Sequence, residues 1–578
     1  MPTIKDPNQT NAWSSLLAAL FVFSIQHVAS ANILTVTSPA DDGGANTLRS
    51  LVSAANPIGD TTIVFSDLLK GLTITLLNSE IVINKNLTIS GPSDASITII
   101  GGNTISPLNK RVFHVTSPAP DPTRIFQVSG LQMQGSIVAV NGANGTAISP
   151  AGGSGANPGE LVIDYGGGGA IYCEDHTLLV ASNCYFLNCL AKGGNGGDAY
   201  NTNCSPDAIG GWGGSAGGGA IFSDGDCFLY NCSFYTNTAV GGAGGTGAQG
   251  GVGGTGGDGI GGAIAVGYLG GTDLRIINCT FYGNVAYGGD GGVGGTRIFC
   301  TVTNADGGTG GSGGNGKGGA IFDHQAVKPP TGIIHSTVCN NFCYRGTGGT
   351  GGTGIFDGLN GANGGVGAAS GCGLYILGIG VSAGNNLFAD NHALPTTAVP
   401  IGPDVWGNLG SIGYNLVATD DGTCHEFHAS DLRGTVALPI NALLGPFQNN
   451  GGDMPTIALQ QGSPAMDAGT TGGFPLDEIG QMRPVRAALL VPPVGGDWSD
   501  IGAFEAQCGI VSPRLEIFRN GNSVTVKWPA PSFCSKLQSS LDLINWSDYL
   551  GAVAIFGDMH QVFLNGQAGP VFYRLVPR

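Results

Sequence analysis

The segment GGGAIFSDGDCFLYNCSFYTNTA, residues 217–239, contains the repeat that organises most of the chain. It opens with glycines and a short apolar pair and closes with the nine-residue block NCSFYTNTA. Both halves recur four times, as GGGGAIY (166–172) with NCYFLNCLA (183–191), GGAIAV (261–266) with NCTFYGNVA (278–286), GGAIF (318–322) with HSTVCNNFC (335–343), and GCGLYI (371–376) with NNLFADNHA (385–393). A repeat of this length suits one coil of a β-solenoid, which buries its apolar side only when coils stack.

Short β-branched runs between residues 72 and 115, separated by turn residues, extend this architecture toward the N-terminus. We therefore predict an all-β, right-handed parallel β-helix of the pectate-lyase type, with glycine-rich insertions and a small C-terminal β-domain. The expected divisions are a signal peptide (1–31), an N-terminal cap with the first coils (32–160), the repeat region (161–415), the end of the β-helix (416–510) and a β-sandwich-like tail (511–578).

Stacking would align equivalent side chains of successive coils at about 4.8 Å, the spacing between strands. The fourth position of the block predicts a column of buried rings: Phe186, Phe234, Phe281 and Phe388. The first position predicts a ladder of asparagines bonded amide to amide at a turn: Asn183, Asn231, Asn278 and Asn385. The second predicts small inward residues: Cys184, Cys232 and Cys279. A disulfide between adjacent coils is the alternative for these cysteines.

Glycine accounts for 104 of the 578 residues and is concentrated in insertions between the coils, as in GGDGGVGGT (288–296). Collagen is excluded because these triplets lack proline. Three interpretations stay open: flexible linkers, packed polyglycine-type helices with three residues per turn, and calcium-binding nonapeptides. The calcium interpretation rests on GGTGGDGIG (253–261) with Asp258, and more loosely on GGNGGDAYN (193–201) with Asp198. Calcium is the one cofactor that the sequence suggests.

The N-terminus has the features of a secretory signal, with Lys5, an apolar run from Leu16 to Ile25, and small residues ending at Ala31. We therefore expect a secreted or cell-surface protein, without a later transmembrane segment and monomeric. The formal net charge of −17 leaves no basic footprint for a nucleic-acid partner. An extracellular polysaccharide or protein is the expected partner.

Two sets of motifs resemble known families of exported bacterial β-helix proteins. The GGAI motif, paired with FYTN (234–237), FYGN (281–284) and FADN (388–391), resembles the repeats of chlamydial polymorphic outer-membrane proteins, which implies a surface protein involved in adhesion. The segments LQQGSPAMDAG (459–469), QMRPV (481–485) and DIGAFE (500–505) are similar to the C-terminal region of "choice-of-anchor Q" proteins. This second resemblance implies a secreted or surface β-helix and assigns no catalytic residue.

Acidic residues soon follow the opening motif in three of the repeats: Glu174, Asp175, Asp224, Asp226 and Asp323. Stacking would bring these side chains toward one turn, where carboxylates that repel one another can recruit a cation or bind a sugar. The alternative is a solvated turn, since aspartate is common there. We expect a non-catalytic surface protein. The competing hypothesis is a polysaccharide lyase or glycoside hydrolase, which often has this fold. The cluster Cys424-His425-Glu426-Phe427-His428 is only weak evidence for a metal site.

Overall fold

The computed structural model describes residues 32–577, except 56–60, 102–109, 118–122, 147–148, 150, 156–165, 201–207, 268–271, 299–305, 325–331, 379, 396–401, 486–492, 508–514, 521–522, 530–534, 550, 552, 557–558 and 566–570. The predicted signal peptide, residues 1–31, lies outside the described residues.

Most of the described chain winds into a right-handed parallel β-helix, because successive coils place strands at equivalent positions and each strand pairs in parallel with the next coil. Three long sheets form its faces. Sheet 1 consists of Asn32–Val36, Thr61–Phe65, Leu87–Ser90, Arg124–Ser129, Thr177–Ser182, Asp226–Tyr230, Leu274–Ile277, Gly332–Ile334, Ser382–Gly384 and Ser411–Gly413. Sheet 2 consists of Thr73–Thr75, Thr98–Ile100, Gln132–Gln134, Tyr185–Leu187, Ser233–Tyr235, Thr280–Tyr282, Thr337–Cys339, Leu387–Ala389, Leu416–Asp420 and Leu432–Thr435. Sheet 3 consists of Ile81–Ile83, Phe113–Val115, Ile171–Cys173, Ile221–Ser223, Ile264–Val266, Ile321–Asp323, Leu374–Ile376, Val405–Asn408 and Cys424–His425.

Two shorter parallel sheets flank the glycine-rich insertions. Sheet 4 consists of Ser136–Val138, Leu190–Lys192, Thr238–Val240, Val285–Tyr287, Phe342–Tyr344 and His392–Leu394. Sheet 5 consists of Gly166–Gly167, Ala216–Gly217, Gly259–Ile260, Gly316–Lys317 and Ala369–Ser370. Each insertion leaves the coil after sheet 4 and rejoins it at sheet 5, so all insertions project from the same side of the solenoid.

The N-terminal end of the solenoid is closed by the helix Leu48–Ala54. Thr47 caps this helix, its side chain accepting a hydrogen bond from the Ser50 backbone N–H. Leu48, Leu51 and Val52 belong to the same buried apolar cluster as the first coils. A short 3₁₀ turn, Asp67–Leu69, follows the second strand of sheet 1.

A column of phenylalanine rings runs through the solenoid core. The ring centroids of Phe186 and Phe234 lie 4.7 Å apart and those of Phe234 and Phe281 lie 4.6 Å apart, with nearly parallel planes. Val338 and Phe388 occupy the same position in the next two coils. The three predicted cysteines are fully buried beside this column, and among the described residues the cysteines are free thiols.

Phe234→Ala is expected to lower the free energy of unfolding by about 3–5 kcal/mol, because the ring has a stacked neighbour on each side and its removal leaves a buried cavity. Urea unfolding of the full chain measures this loss. The matched control is Phe234→Leu, which retains much of the volume and should cost less than half as much. A loss below about 1 kcal/mol for the alanine variant would contradict the packed column.

A C-terminal strap, residues 444–485 and 493–507, packs across the outer face of sheet 2. It begins with the antiparallel pair Leu444–Gln448 and Thr456–Leu459. Further along, the Glu478 carboxylate accepts hydrogen bonds from the hydroxyls of Ser233 and Thr280, and the Ala503 N–H donates to Thr337 Oγ1 at 2.9 Å. Burial raises the pKa of Glu478 well above its usual value. The strap therefore covers a face that would otherwise be open.

The tail forms two small antiparallel sheets with their own buried cluster of Val526, Trp528, Leu537, Val562 and Leu564. One sheet consists of Glu516–Asn520, Ser523–Pro529, Met559–Asn565 and Ala554–Phe556, and the other of Ser547–Asp548, Ser535–Ser540 and Phe572–Pro577. Among the described residues, no helix is both long and apolar enough to cross a membrane.

Candidate binding surface

The glycine-rich insertions form ordered hairpins, each with an outgoing and a return segment. Backbone hydrogen bonds between successive insertions recur at every third residue: Gly241, Gly244 and Gly247 donate to the carbonyls of Tyr287, Asp290 and Val293, each at 2.8 Å. That period is the repeat of an extended helix with three residues per turn. The outgoing segments are 139–145, 193–199, 241–247, 288–296 and 346–354, and the return segments are 151–155, 208–215, 251–258, 307–315 and 361–368. The sequence left three interpretations of these segments open, and the structure agrees with packed polyglycine-type helices. We call this assembly the glycine bundle.

Two residues of each GGx triplet must be glycine because neighbouring backbones lie against their Cα atoms. A Cβ added at Gly254 would lie 1.8 Å from the Gly211 carbonyl oxygen, and one at Gly245 would lie 2.0 Å from that of Gly197. The amides of these glycines are used inside the bundle, Gly254 donating to Gly245 and Gly245 to Gly211 at 2.8 Å each. Backbone hydrogen bonds thus replace the side-chain core that the bundle lacks.

The third residue of each triplet projects outward, which gives the bundle two faces. The outgoing face displays the rows Asn141, Asn195, Ala243, Asp290, Thr347 and Asn144, Asp198, Thr246, Val293, Thr350. The return face displays the rows Ala151, Ile209, Val252, Thr309, Ala362 and Ser154, Trp212, Thr255, Ser312, Gly365. Neighbouring layers of a face are about 4.8 Å apart.

The two faces differ in chemistry. These two rows of the return face are composed of apolar and hydroxyl side chains and one glycine, and Asp258 lies one triplet beyond them, whereas the two rows of the outgoing face include the carboxylates of Asp198 and Asp290. Three large apolar side chains lie together on the return face: Trp212 is 61% exposed, Ile209 48% and Val252 43%. Ile209 and Val252 are neighbours in one row, and Trp212 lies one triplet further along. A contiguous apolar patch of this kind is typical of an interaction site.

The structure places the two predicted calcium ligands on opposite faces of the bundle, where each binds the next layer. Asp198 Oδ1 accepts from the Thr246 N–H at 2.7 Å. Asp258 Oδ1 accepts from the Asn315 N–H at 2.7 Å, and Asp258 Oδ2 lies 3.5 Å from Lys317 Nζ. Within the described ranges, no three His, Cys, Asp or Glu side chains form a group suited to a metal ion. Calcium binding stays a prediction from the nonapeptide motif.

The acidic residues after the opening motif lie in different environments. Glu174 and Asp224 occupy equivalent positions in adjacent coils, since their amides bond the carbonyls of Val115 and Cys173, which pair in sheet 3. Asp323 lies one residue earlier, within its strand and aligned with Val266, and is almost fully buried. Asp226 belongs to sheet 1, and Asp175 lies on an exposed turn beside His176.

Several of these carboxylates already bind neighbouring groups. Glu174 lies 3.0 Å from His114 Nε2 and accepts from the Ser117 N–H at 2.7 Å. Asp224 is buried and accepts from the Tyr172 hydroxyl at 3.4 Å. Asp226 accepts from the Asp273 N–H at 2.8 Å. These contacts link adjacent coils and turns of the solenoid.

An amide ladder is present, but at the seventh position of the block instead of the first. Its members are Asn237, Asn284, Asn341 and Asn391. Each member donates two hydrogen bonds, from Nδ2 and from the backbone N–H, to the side-chain oxygen of the next member. The last member, Asn391, donates both bonds to Asp404. The prediction of a ladder at Asn183, Asn231, Asn278 and Asn385 is wrong. Those residues have φ between 49° and 58°, the left-handed conformation that asparagine tolerates. The side-chain amides of Asn278 and Asn385 bond strap carbonyls.

The ladder ends at Asp404, which is fully buried. Burial raises the pKa of this carboxyl from its usual 3.8 to about 7, against the hydrogen bonds from Asn391 and Thr419 that lower it. The folded chain therefore holds a proton that the unfolded chain releases between pH 4 and pH 7. A partly protonated carboxyl at neutral pH is unusual and was not evident from the sequence.

Asp404→Asn removes this titration, so the stability difference between the two chains should depend on pH. The wild type is expected to lose about 4 kcal/mol relative to the variant as pH rises from 4 to 8, because stability is lost as pH passes the raised folded pKa. Urea unfolding of both proteins at several pH values measures this difference. The contributions of all other titrating groups are the same in the two proteins and cancel when the unfolding free energies are subtracted. A difference that is independent of pH would contradict the raised pKa.

Comparisons with known proteins identify no family. No protein-family model matches the chain, and no curated protein matches it. Among solved structures, the chain is similar to the crystal structure of bacteriophage CBA120 tailspike protein 3, with 11% sequence identity, coverage of 76% of this chain and 70% of that one, and a TM-score of 0.18. The strand pairing itself establishes the β-helix, and the family resemblances of the sequence motifs stay predictions.

Proposed function

We propose that the protein is an extracellular, non-catalytic binding protein of the adhesin type, which contacts its target through the return face of the glycine bundle. The observation that carries this proposal is a part of the return face without charged side chains, the rows of Ile209 and Trp212, on which Trp212, Ile209 and Val252 are exposed together. Depletion of charge and enrichment of tryptophan are features of the centre of binding interfaces.

The construction of the bundle supports this role. Because backbone hydrogen bonds hold the layers together, outward apolar side chains such as those of Ile209, Trp212 and Val252 are not needed for these bonds and are available for recognition. The face is also held on a rigid scaffold, so little conformational entropy is lost when it binds. The contacts of Glu174, Asp224 and Asp226 within the solenoid favour a structural use of the acidic group over catalysis. Secretion, predicted from the N-terminus, is part of the proposal.

A matched pair of substitutions tests the face directly. The hexapeptide GGVGGT occurs at 250–255 on the return face and at 291–296 on the outgoing face, and Val252 and Val293 are each 43% exposed. Val252→Lys places a charge in the proposed interface, whereas Val293→Lys places the same charge on the opposite face. Trp212→Ala removes the proposed anchor.

Binding of the full-length chain is measured on arrays of glycans and of extracellular proteins. We expect Val252→Lys and Trp212→Ala to weaken binding at least tenfold and Val293→Lys to leave it unchanged, with circular dichroism unchanged in all three. Absence of binding to every probe, or equal effects of the two lysine substitutions, would overturn the proposal.

A further inference from the structure

A recess lies at the C-terminal end of sheet 3. It is a shallow recess, open to solvent, with a volume of about 350 Å³, and it is lined by Ile376, Leu377, Gly378, Trp406, Gly407, Asn408, Gly422, Thr423 and His425. These residues come from the last three strands of sheet 3, from the turn after Leu374–Ile376 and from the turn before Cys424–His425. The volume falls within the range of small-molecule sites.

Trp406 provides an aromatic surface in this recess. It is the last ring of a column on sheet 3 whose other members are Tyr172, Phe222, Ala265, Phe322 and Tyr375. One indole face stacks on Tyr375, with centroids 4.3 Å apart and planes inclined by 6°. In the next coil, Gly407 pairs with Cys424, so the residue above Trp406 is Thr423. A threonine continues the column without a ring, which leaves the other indole face toward the recess.

Asn408 adds a polar group that lacks a partner within the described structure. Its Oδ1 is buried and accepts no hydrogen bond from any described residue. An unsatisfied buried acceptor is costly, so a ligand that draws the Asn408 side chain toward the recess and donates a hydroxyl to Oδ1 would gain affinity from relieving it. Thr423, whose hydroxyl donates to Asp421 at 2.6 Å, and the exposed His425 offer further polar contacts at the rim.

The chemistry of the lining selects the ligand class. It combines one aromatic face, an amide acceptor, a hydroxyl and an imidazole, and contains no Asp, Glu, Lys or Arg. A neutral pyranose presents C–H groups that pack against the electron-rich face of an indole and hydroxyls that donate to an acceptor such as Asn408. We propose that this recess, the Trp406 pocket, binds a neutral pyranose unit of an extracellular polysaccharide.

This inference rests on the proposed function in that it names a ligand class for an extracellular binding protein, but it uses a different surface. The two can therefore fail separately. Trp212→Ala on the return face is expected to leave the Trp406 pocket intact, and substitutions in the pocket are expected to leave the return face intact.

The test is titration of the full-length chain by ligand-observed NMR with glucose, galactose, mannose and N-acetylglucosamine, with glucuronate and choline as charged probes. We expect at least one neutral sugar to bind. Trp406→Ala should weaken its binding at least tenfold, whereas Trp406→Phe should retain it within about threefold because a ring remains. Asn408→Leu should weaken binding about tenfold without lowering stability, because it removes an unsatisfied acceptor. That combination would not arise if Asn408 had only a structural role.

The outcomes separate the two proposals. Neutral-sugar binding that depends on Trp406 and Asn408, but not on Trp212, supports the pocket, even if the return-face substitutions leave array binding unchanged. Absence of neutral-sugar binding, sugar binding unaffected by Trp406→Ala and Asn408→Leu, or binding of choline or glucuronate alone overturns the inference. If array binding depends on Val252 but no neutral sugar binds, the proposed function of the return face is supported and the inference about the Trp406 pocket is overturned.

Discussion

Gly254→Val is expected to disrupt the glycine bundle and to lower the free energy of unfolding by at least about 3 kcal/mol. The added Cβ would lie 1.8 Å from the Gly211 carbonyl oxygen, and a backbone atom cannot move away by changing rotamer. Relief of the overlap requires separating two helices of the bundle, which breaks hydrogen bonds such as that of the Gly254 N–H to Gly245, 2.8 Å long. Severe overpacking of a close-packed interior has costs of this size.

The matched control is the adjacent residue. Thr255 lies in the same helix of the bundle, but its side chain projects from the return face and is exposed, so Thr255→Val should change stability by less than about 0.5 kcal/mol. Urea unfolding gives both values, and amide hydrogen exchange of residues 241–258 reports the bundle locally. Equal effects of the two substitutions would show that the insertions are not packed as described.

Arg483→Met is expected to cost about 3–5 kcal/mol, because it leaves a buried carboxylate without its cation. Arg483 and Glu505 are both fully buried, with Nη1 3.7 Å from Oε2. The guanidinium also donates to the carbonyls of Asp500 and Gly502, at 3.1 and 2.8 Å. Burial already raises the pKa of Glu505 to about 7, with Arg483 opposing that shift. Loss of Arg483 should raise the pKa of Glu505 further and loosen the strap from sheet 2.

Arg483→Lys provides the comparison, since it keeps the charge but loses the forked geometry that binds two carbonyls. We expect its unfolding free energy to fall between those of the wild type and the methionine variant. Limited proteolysis of residues 460–507 distinguishes local detachment of the strap from global unfolding. A methionine variant as stable as the wild type would show that the ion pair does not hold the strap.

The repeat was sufficient to predict the solenoid, because Phe186, Phe234 and Phe281 recur at one position of a coil-length unit and have to meet when coils stack. It did not distinguish two columns of asparagine. Asn231 and Asn237 look alike in sequence, but the backbone at Asn231 has a φ of 50°, whereas Asn237 is an inward residue. The left-handed backbone conformation at Asn231 distinguishes this turn residue from the ladder residue Asn237. The identity of the side chain, asparagine in both cases, does not predict that difference.

The strap and the Trp406 pocket were beyond sequence reasoning for a different reason. Glu478 binds Ser233, which is 245 residues away, and no local pattern marks that contact. Arg483 and Glu505 are buried although both carry ionisable groups. Trp406 forms a binding surface only because its column ends one coil later, at Thr423. By contrast, the triplet period of the insertions is local in sequence, and packed polyglycine-type helices were one of the three structures that it suggested.

The most direct test of the proposed function is to incubate the full-length chain with each polysaccharide that it binds and to analyse the soluble fraction for new reducing ends and unsaturated uronates, with and without calcium. We expect the protein to be retained on the polysaccharide and to release no product. Release of either product would contradict a non-catalytic role and would make Asp175, Asp224 and Asp323 the first residues to substitute.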